Sequence, residues 1–297
     1  MQTPATAASG TARLLDDFSL EMTGKDLAGL SEAAPLLPAG TRINVTFLGN
    51  EDLGMRVAAA AAVRNRGFVP VPHISARRLT SRAELEEFLG RLRRVDAHER
   101  VFAVGGAPAV PEGPYAASLD VIRSGILRDA GVREVSIAGY PEGHPDIPDD
   151  VLWRALEDKA AALDEQELGA VILTQFGFDV DPVLAWISEV RRRGITAPIR
   201  VGVPGPAGVK RLLAFASRFG IGANALIVRK YGFSLANLMG TAGPDAFVAE
   251  LAERLTSVPE AGAVGLHFYT FGGLPATAAW ARTHLGTDAD ADEPHDT

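Results

Sequence analysis

The chain contains no cysteine among its 297 residues. That absence excludes disulfide bonds, thiolate metal ligands, iron–sulfur clusters and a catalytic thiol. The six histidines show none of the close spacings of an HExxH site, so no metal site is expected. The chemistry is therefore expected from carboxylates, imidazoles, amides and phenols, or from a bound cofactor.

Long apolar runs and an excess of positive charge are also missing. No uninterrupted apolar run reaches 18 residues, and the N-terminal MQTPATAASGTAR lacks a basic start followed by an apolar core. We therefore expect neither a transmembrane helix nor a secretory signal. The net charge of −8 argues against binding to nucleic acid or to an anionic membrane. These features favour a cytoplasmic protein, and they leave a homo-oligomer open.

The chain does contain a regular alternation of β-rich runs and helical patterns. The runs are nearly all apolar, as in parallel strands that are covered on both faces. Eight of them occur, at residues 18–22, 42–47, 68–75, 100–106, 134–141, 170–176, 199–205 and 263–271. The alternation predicts a single α/β domain, a (β/α)8 TIM barrel over residues 13–285. A doubly wound open sheet is the rival, but no glycine-rich dinucleotide motif follows the first run.

Helices are expected between these runs, and disorder at the two ends of the chain. Residues 222–257 are expected to form extra helices between the seventh and eighth strands. The ends, residues 1–12 and the acidic tail 286–297, have the composition of disordered segments. The other helices are predicted near 51–66, from a cap at Thr80, and near 115–130, 149–164, 182–194, 207–219 and 275–285.

Polar residues near the carboxyl ends of the strands are the candidates for a site, because barrel enzymes place their chemistry there. Glu21 lies within an apolar strand, where burial would raise its pKa and suit it to be a general acid. An alternative is that Glu21 faces the helices and pairs with an arginine. The other candidates are Thr46, His73, Tyr140, His144, Thr174, Gln175, His267, Tyr269 and Thr270.

For three of these candidates a purely structural role is an alternative. His73 could be a hydrogen-bonded packing histidine, and Tyr269 could belong to the core. Gln175 could use its amide on neighbouring backbone or to recognise a ligand edge. The residue types alone do not decide between these roles.

Six fragments, in order along nearly the whole chain, resemble motifs of the flavin-containing 5,10-methylenetetrahydrofolate reductases. GYPEGHP, residues 139–145, is the most specific and matches the family's A-Y-P-E-x-H-P. The resemblance implies a (β/α)8 barrel that reduces methylene-tetrahydrofolate to methyl-tetrahydrofolate. The other fragments are FSLE (18–21), NVTF (44–47), VPHIS (71–75), ILTQFGFDVD (172–181) and LHFYTF (266–271).

The resemblance also implies cofactors and residue roles. NADH or NADPH would pass hydride to FAD, and the flavin would pass it to the folate. Glu21 would be the general acid that assists opening of the folate's imidazolidine ring, with Gln175 and Tyr269 binding substrate. The residues matching cofactor-binding positions are Thr46, His73, Gly106, Tyr115, Ala117, Ser118, Tyr140, His144 and Lys159.

The chain departs from the family pattern at several positions around the expected cofactor. The family's R-G-D after strand four is Gly105-Gly106-Ala107 here, and its ribose-binding Asp falls at Leu152. Its folate-contacting Arg falls at Gly273, so Lys230 or Arg229 would have to meet the glutamate tail of the folate. Two further hypotheses follow: a flavin-independent reductase with direct hydride transfer, and a non-catalytic barrel that binds folate or flavin.

Overall fold

The computed structural model describes residues 4–47, 49, 51–208 and 241–285. The acidic tail 286–297 and most of the helix expected at 207–219 lie outside the described residues. So do Arg229, Lys230 and the extra helices expected before residue 241. At the borders of that gap, Ala207–Gly208 pair antiparallel with Thr241–Ala242.

Eight parallel strands form a closed barrel, which confirms the predicted TIM-barrel fold. Each strand pairs with the next along the chain, and β8 closes the barrel against β1, where Ser19 lies opposite His267. The strands are β1 Ser19–Thr23, β2 Arg42–Thr46, β3 Val69–Ser75, β4 Arg100–Val104, β5 Glu134–Gly139, β6 Gly169–Phe176, β7 Ile199–Pro204 and β8 Val264–Tyr269.

Helices surround the barrel, and within the described residues none has the length and apolar character needed to span a bilayer. Two short 3-10 turns, Ala34–Leu36 and Ala76–Arg78, accompany them. The helices are α1 Pro4–Leu15, α2 Leu27–Ala33, α3 Leu53–Arg64, α4 Arg82–Arg93, α5 Ser118–Arg123, α6 Ile126–Asp129, α7 Asp149–Asp164, α8 Val180–Arg192, α9 Asp245–Leu255 and α10 Leu274–His284.

Successive side chains of each strand point alternately to the helices and to the barrel interior. On β8, Leu266 and Phe268 are fully buried against the helices, and the ring of Phe268 lies 5.4 Å from that of Trp280 on α10. The intervening His267 and Tyr269 point into the barrel, where His267 meets Glu21. Alternate residues of each strand thus pack under the helices, and the residues between them face the barrel interior.

Three local expectations differ from the structure. Residues 1–12 were expected to be disordered, but α1 spans Pro4–Leu15. Ser81, not Thr80, caps α4, because the Ser81 hydroxyl accepts from the amide of Glu84 at 3.1 Å. The helix expected at 115–130 is two short helices, because the chain turns at Gly125 with φ 76°.

Ion pairs close the N-terminal end of the barrel. Arg42 on β2 pairs with Glu134 on β5, and the buried Arg200 on β7 pairs with Asp17 just before β1. Arg100 on β4 lies 3.8 Å from Glu134. We name these five residues the basal ion cluster. The charged cluster lies opposite the barrel mouth, where ligands bind in barrels of this kind.

Candidate active site

A cavity of about 490 Å³ opens at the carboxyl ends of the strands. Most of its lining surface is apolar and aromatic, and a few polar side chains from β1, β2, β3 and β6 also face it, as in small-molecule sites. The described lining includes no lysine or arginine. Its residues are Glu21, Met22, Thr23, Asp26, Thr46, His73, Phe102, Val104, Ala138, Tyr140, Leu173, Gln175, Tyr269, Thr270, Phe271 and Gly272.

Glu21 projects into this cavity, and the helix-facing alternative with an arginine partner is wrong. Its Oε2 lies 3.5 Å from Nε2 of His267, and its backbone oxygen accepts from the Thr270 hydroxyl at 2.7 Å. Nδ1 of His267 lies 2.8 Å from the hydroxyl oxygen of Ser19. The carboxylate is therefore held by a chain of contacts that begins two residues earlier on its own strand.

The pKa of Glu21 lies below its ordinary value, opposite to the direction expected from burial alone. Burial raises it, but the hydrogen bond to His267, the charges of His73 and His267, and Thr46 together lower it. Charged His73 matters only in acid, because burial lowers the pKa of His73 to about 4. Near neutral pH the hydrogen bond to His267 is therefore the main effect that opposes burial.

His73 lies deep in the cavity wall with both ring and backbone engaged. Its ring packs edge-on against Phe102 at 4.7 Å, and its Nε2 lies 3.5 Å from the amide nitrogen of Asn44. Arg56 donates to its backbone oxygen at 2.7 Å. The side chain is thus a neutral packing imidazole at pH 7 that also lines the cavity.

Gln175 and Tyr269 face the cavity from neighbouring parts of the barrel wall. The pairing of β6 with β7 shifts register between Leu173 and Phe176, and such bulges re-aim side chains beside active sites. The Tyr269 hydroxyl donates to the backbone oxygen of Thr174 at 3.1 Å, and burial raises its pKa well above the ordinary value. Gln175 accepts from the amide of Phe176 at 3.1 Å through its side-chain oxygen.

The cavity gathers six of the twelve residues to which the resemblance gives a role: Glu21, Thr46, His73, Tyr140, Gln175 and Tyr269. Of these, Thr46 has a buried Oγ1 that makes no hydrogen bond of ordinary geometry, although it lies near enough to Glu21 to lower the pKa of that carboxyl slightly. An unsatisfied buried hydroxyl that lines a cavity can be completed by a ligand. Thr46 is therefore the polar atom of the cavity best placed to contact a bound molecule.

The other six selected residues do not line this cavity. Gly106 is exposed with φ 92°, and Tyr115 is buried in the core. Ala117 precedes α5, which begins at Ser118. His144 packs its ring edge-on against Tyr140 at 5.4 Å. The sixth is Lys159, whose position on α7 is described next.

Lys159 is buried on α7, where desolvation lowers its pKa to about 8. Its ammonium group lines neither the cavity nor the groove that lies beside it on the far side of Tyr140. A buried ammonium is costly unless it meets an anion. Desolvation is the one cause of this lowered pKa, so the buried ammonium group destabilises the folded protein.

The groove beside the cavity has a volume of about 430 Å³ and shares Ala138 and Tyr140 with it. Trp153 and Trp186 line the groove, with their rings stacked 5.8 Å apart. Leu152, at the family's ribose-binding position, also faces it. The groove and the cavity thus lie side by side, with Ala138 and Tyr140 between them.

The fit to FAD is divided between the two ends of that cofactor. Thr46, His73 and Tyr140 line the cavity and could meet a flavin ring. At the expected pyrophosphate end, Asp120 already accepts from the amides of Ala116 and Ala117 at 2.8 and 2.9 Å. A carboxylate in that place occupies the donors and repels phosphate. The residues present fit the ring end of a flavin and not its pyrophosphate end.

Several site residues were not selected from the sequence. Ser19 and Asn44 contact the two histidines, and Phe271 lines the mouth with φ 49°, an uncommon backbone conformation for a bulky residue. Ser19 could have been found, because it lies two residues from Glu21 on the same face of β1. Asn44 and Phe271 carried no comparable signal. The described residues bring together no group of three or more side chains able to hold a metal ion.

Comparisons with known proteins place this geometry in a family. "Methylenetetrahydrofolate reductase 2" of Saccharomyces cerevisiae is 36% identical over 84 residues, 28% of this chain and 13% of that protein. "Methylenetetrahydrofolate reductase (NADH) 1" of Zea mays is 33% identical over 97 residues, 31% of this chain and 16% of that protein. The matched segments thus span less than a fifth of these relatives' lengths.

A solved structure and a family model complete the comparisons. Dihydropteroate synthase from Thermus thermophilus has a TM-score of 0.46 at 16% identity, covering 91% of this chain and 94% of its own, and adds nothing on function. The family model described as methylenetetrahydrofolate reductase matches residues 36–279, more than half of the chain. The chain belongs to the methylenetetrahydrofolate reductase family.

Proposed function

We propose that this chain reduces 5,10-methylene-tetrahydrofolate to 5-methyl-tetrahydrofolate with hydride that originates from NADH or NADPH. The observation that carries the proposal is the position of Glu21, which projects from β1 into the cavity that Gln175 and Tyr269 also line. Family membership supports the substrate, and the name of the maize relative, which includes NADH, supports a nicotinamide donor.

Glu21 is proposed as the general acid. Reduction requires one proton and one hydride: the proton goes to the departing ring nitrogen as the imidazolidine ring opens, and the hydride goes to the resulting iminium carbon. Once protonated, the carboxyl group can deliver that proton directly to a substrate in the cavity, and its lowered pKa makes it a stronger acid. Its 20% exposure is toward the cavity, where the folate would lie.

Gln175 and Tyr269 are proposed to bind and orient the substrate. The phenol of Tyr269 stays protonated because burial raises its pKa, so the ring offers a neutral aromatic face. The amide of Gln175 is anchored through its oxygen to the amide of Phe176. Its nitrogen remains a donor suited to the carbonyl or ring nitrogens of a pterin.

FAD is the carrier that the resemblance implies, and when bound it would accept hydride from the nicotinamide and pass it to the folate. Thr46, His73 and Tyr140 would face its ring. Direct transfer from the nicotinamide to the folate is the second candidate. The backbone amides of Ala116 and Ala117 favour direct transfer, because they already donate to Asp120 and so are not free to bind the pyrophosphate of FAD.

An anaerobic assay on purified protein with its bound cofactor identified tests the proposal. Oxidation of NADH or NADPH that depends on methylene-tetrahydrofolate is the expected result. Yellow protein whose flavin is bleached by the nicotinamide and recoloured by the folate indicates the FAD route. Colourless protein with the same folate-dependent oxidation indicates direct transfer. Folate binding without any nicotinamide oxidation would contradict the proposal and leave a binding module.

A further inference from the structure

Asp26 is a second carboxylate that lines the cavity, and it lies on the same segment of chain as Glu21. It follows the last residue of β1 by three positions and immediately precedes α2. We propose that Asp26 recognises the 2-amino group of the folate's pterin ring by accepting a hydrogen bond through Oδ1. The inference rests on the proposed function, because it assigns a specificity-determining residue for the substrate named there.

Asp26 occupies the N-cap position of α2 without capping the helix. An aspartate at this position usually accepts from the backbone amides of the first helical turn, but here the side chain makes no such bond. Its Oδ2 instead accepts from the backbone amide and the hydroxyl of Thr23, at 2.8 and 2.9 Å. The carboxylate is therefore turned back toward the end of β1, which forms part of the cavity wall.

The two oxygens of this carboxylate are in different situations. Oδ2 accepts from two donors, whereas Oδ1 has no hydrogen-bond partner among the residues that the structure describes. A carboxylate accepts through both of its oxygens, and the side chain of Asp26 is only half-buried. Oδ1 is therefore the oxygen that a ligand in the cavity can reach.

The turn that carries Asp26 is held on both sides. The backbone amide of Asp26 donates to the backbone oxygen of Thr23 at 3.1 Å. The amide of Gly24 donates to the carboxylate of Glu51, a buried residue, at 3.0 Å. These contacts fix the acceptor before a ligand arrives, so little ordering is needed on binding.

The charge of the cavity selects the kind of group that meets Asp26. The described lining contains the carboxylates of Glu21 and Asp26 and no lysine or arginine. Two carboxylates repel an anionic group such as the folate's glutamate tail, and they attract N–H donors. A pterin carries such donors on one edge, in its 2-amino group and N3–H, beside the 4-oxo oxygen. That edge is the part of the folate that fits Asp26.

The other proposed contacts place the same ring against Asp26. Glu21 has to lie beside the folate to protonate it, and Asp26 is five positions further along the same segment. The amide nitrogen of Gln175, on β6, is a donor that suits the 4-oxo oxygen. An acceptor for the 2-amino group and a donor for the 4-oxo oxygen together recognise the pyrimidine edge of a pterin.

Asp26→Asn tests the contact, since the amide oxygen can keep both bonds to Thr23 while an NH2 group replaces Oδ1. The dissociation constant of 5-methyl-tetrahydrofolate is measured by isothermal titration calorimetry, without turnover. It should rise about 10- to 100-fold, because a hydrogen bond to a charged group is lost and a donor then faces a donor. Asp52→Asn, at the N-cap of α3 outside the cavity, is the matched control and should bind as wild type does.

A folate analogue supplies the second arm. Wild type should bind 2-desamino-5-methyl-tetrahydrofolate more weakly than the parent folate. Asp26→Asn should bind the two folates with affinities within about twofold of each other, because the contact that distinguishes them is already lost. A merely structural role of Asp26 would weaken both folates by the same factor.

Unchanged folate affinity in Asp26→Asn, or the same loss for both folates, would overturn the assignment. A loss confined to NADH or NADPH would do so too. Equal affinity of wild type for both folates would overturn it without any variant. Folate-dependent oxidation of the nicotinamide by wild type is measured separately. Turnover combined with failed binding results keeps the proposed function and removes the role of Asp26. Binding that depends on Asp26 without turnover refutes the proposed function and keeps that role.

Discussion

A Cβ on Gly202 would lie 2.8 Å from the ring of Tyr269 and 2.4 Å from the backbone oxygen of Thr174. Glycine on β7 thus leaves room for the tyrosine ring beside the β7 backbone, while the tyrosine hydroxyl reaches Thr174 on β6. The amide of Gly202 also donates to the Thr174 hydroxyl at 2.8 Å. One glycine therefore contacts both β6, where the pairing with β7 is irregular, and the ring of a residue proposed to bind substrate.

Gly202→Ala should destabilise the protein by about 1–3 kcal/mol, since the methyl group forces the backbone or the ring to move. Folate binding should weaken at the same time, because Tyr269 is displaced. Chemical denaturation and folate titration measure the two effects. Gly265→Ala on β8 is the control, since its Cβ would meet nothing nearer than 3.5 Å. Equal stability of the two variants would contradict the prediction.

Glu21→Gln should abolish folate reduction, because the amide keeps the shape of the side chain but supplies no acidic proton. If FAD is bound, its reduction by the nicotinamide should remain largely intact. Stopped-flow absorbance of each half-reaction distinguishes these steps. Loss of both half-reactions would show that Glu21 does not have the role assigned to it.

Thr46→Val should change the free energy of unfolding little, since the buried hydroxyl that it removes makes no hydrogen bond of ordinary geometry and acts only weakly on Glu21. Affinity for the bound ring system should fall about 2- to 10-fold, the range of one neutral hydrogen bond. Thr270→Val is the contrasting variant and should cost about 1 kcal/mol, because Thr270 donates to Glu21 at 2.7 Å. Ligand titration and denaturation of both variants test the difference.

Lys159→Met should stabilise the ligand-free protein at neutral pH. Burial lowers the pKa of Lys159 from 10.5 to about 8, so with 1.36 kcal/mol per pKa unit the charged form costs about 3 kcal/mol. The unfolded chain binds more protons between pH 8 and 10.5, so wild-type stability rises there and the gap to the variant closes.

Thermal denaturation of Lys159→Met across that pH range gives the measurement. Lys25→Met, at an exposed position, should show no such pH dependence. A gap that stays constant from pH 7 to 10.5 would contradict the prediction.

The barrel could be predicted from the sequence because each parallel strand is a short apolar run, a local property of its own residues. The pKa of Glu21 could not, because the residue that lowers it lies 246 positions away on β8. The break at Gly125 was missed because a glycine within a helical pattern is often tolerated. The roles of the selected site residues remain predictions.

The ion pairs of the basal ion cluster link strands at the end of the barrel opposite the mouth. Arg200 and Asp17 join β7 to the start of β1, and Arg42 and Glu134 join β2 to β5. Substitutions at the mouth, such as those at Ala107 and Leu152, do not touch these contacts. Residues that hold a cofactor at the mouth can therefore be replaced while the ion pairs at the opposite end of the barrel stay intact.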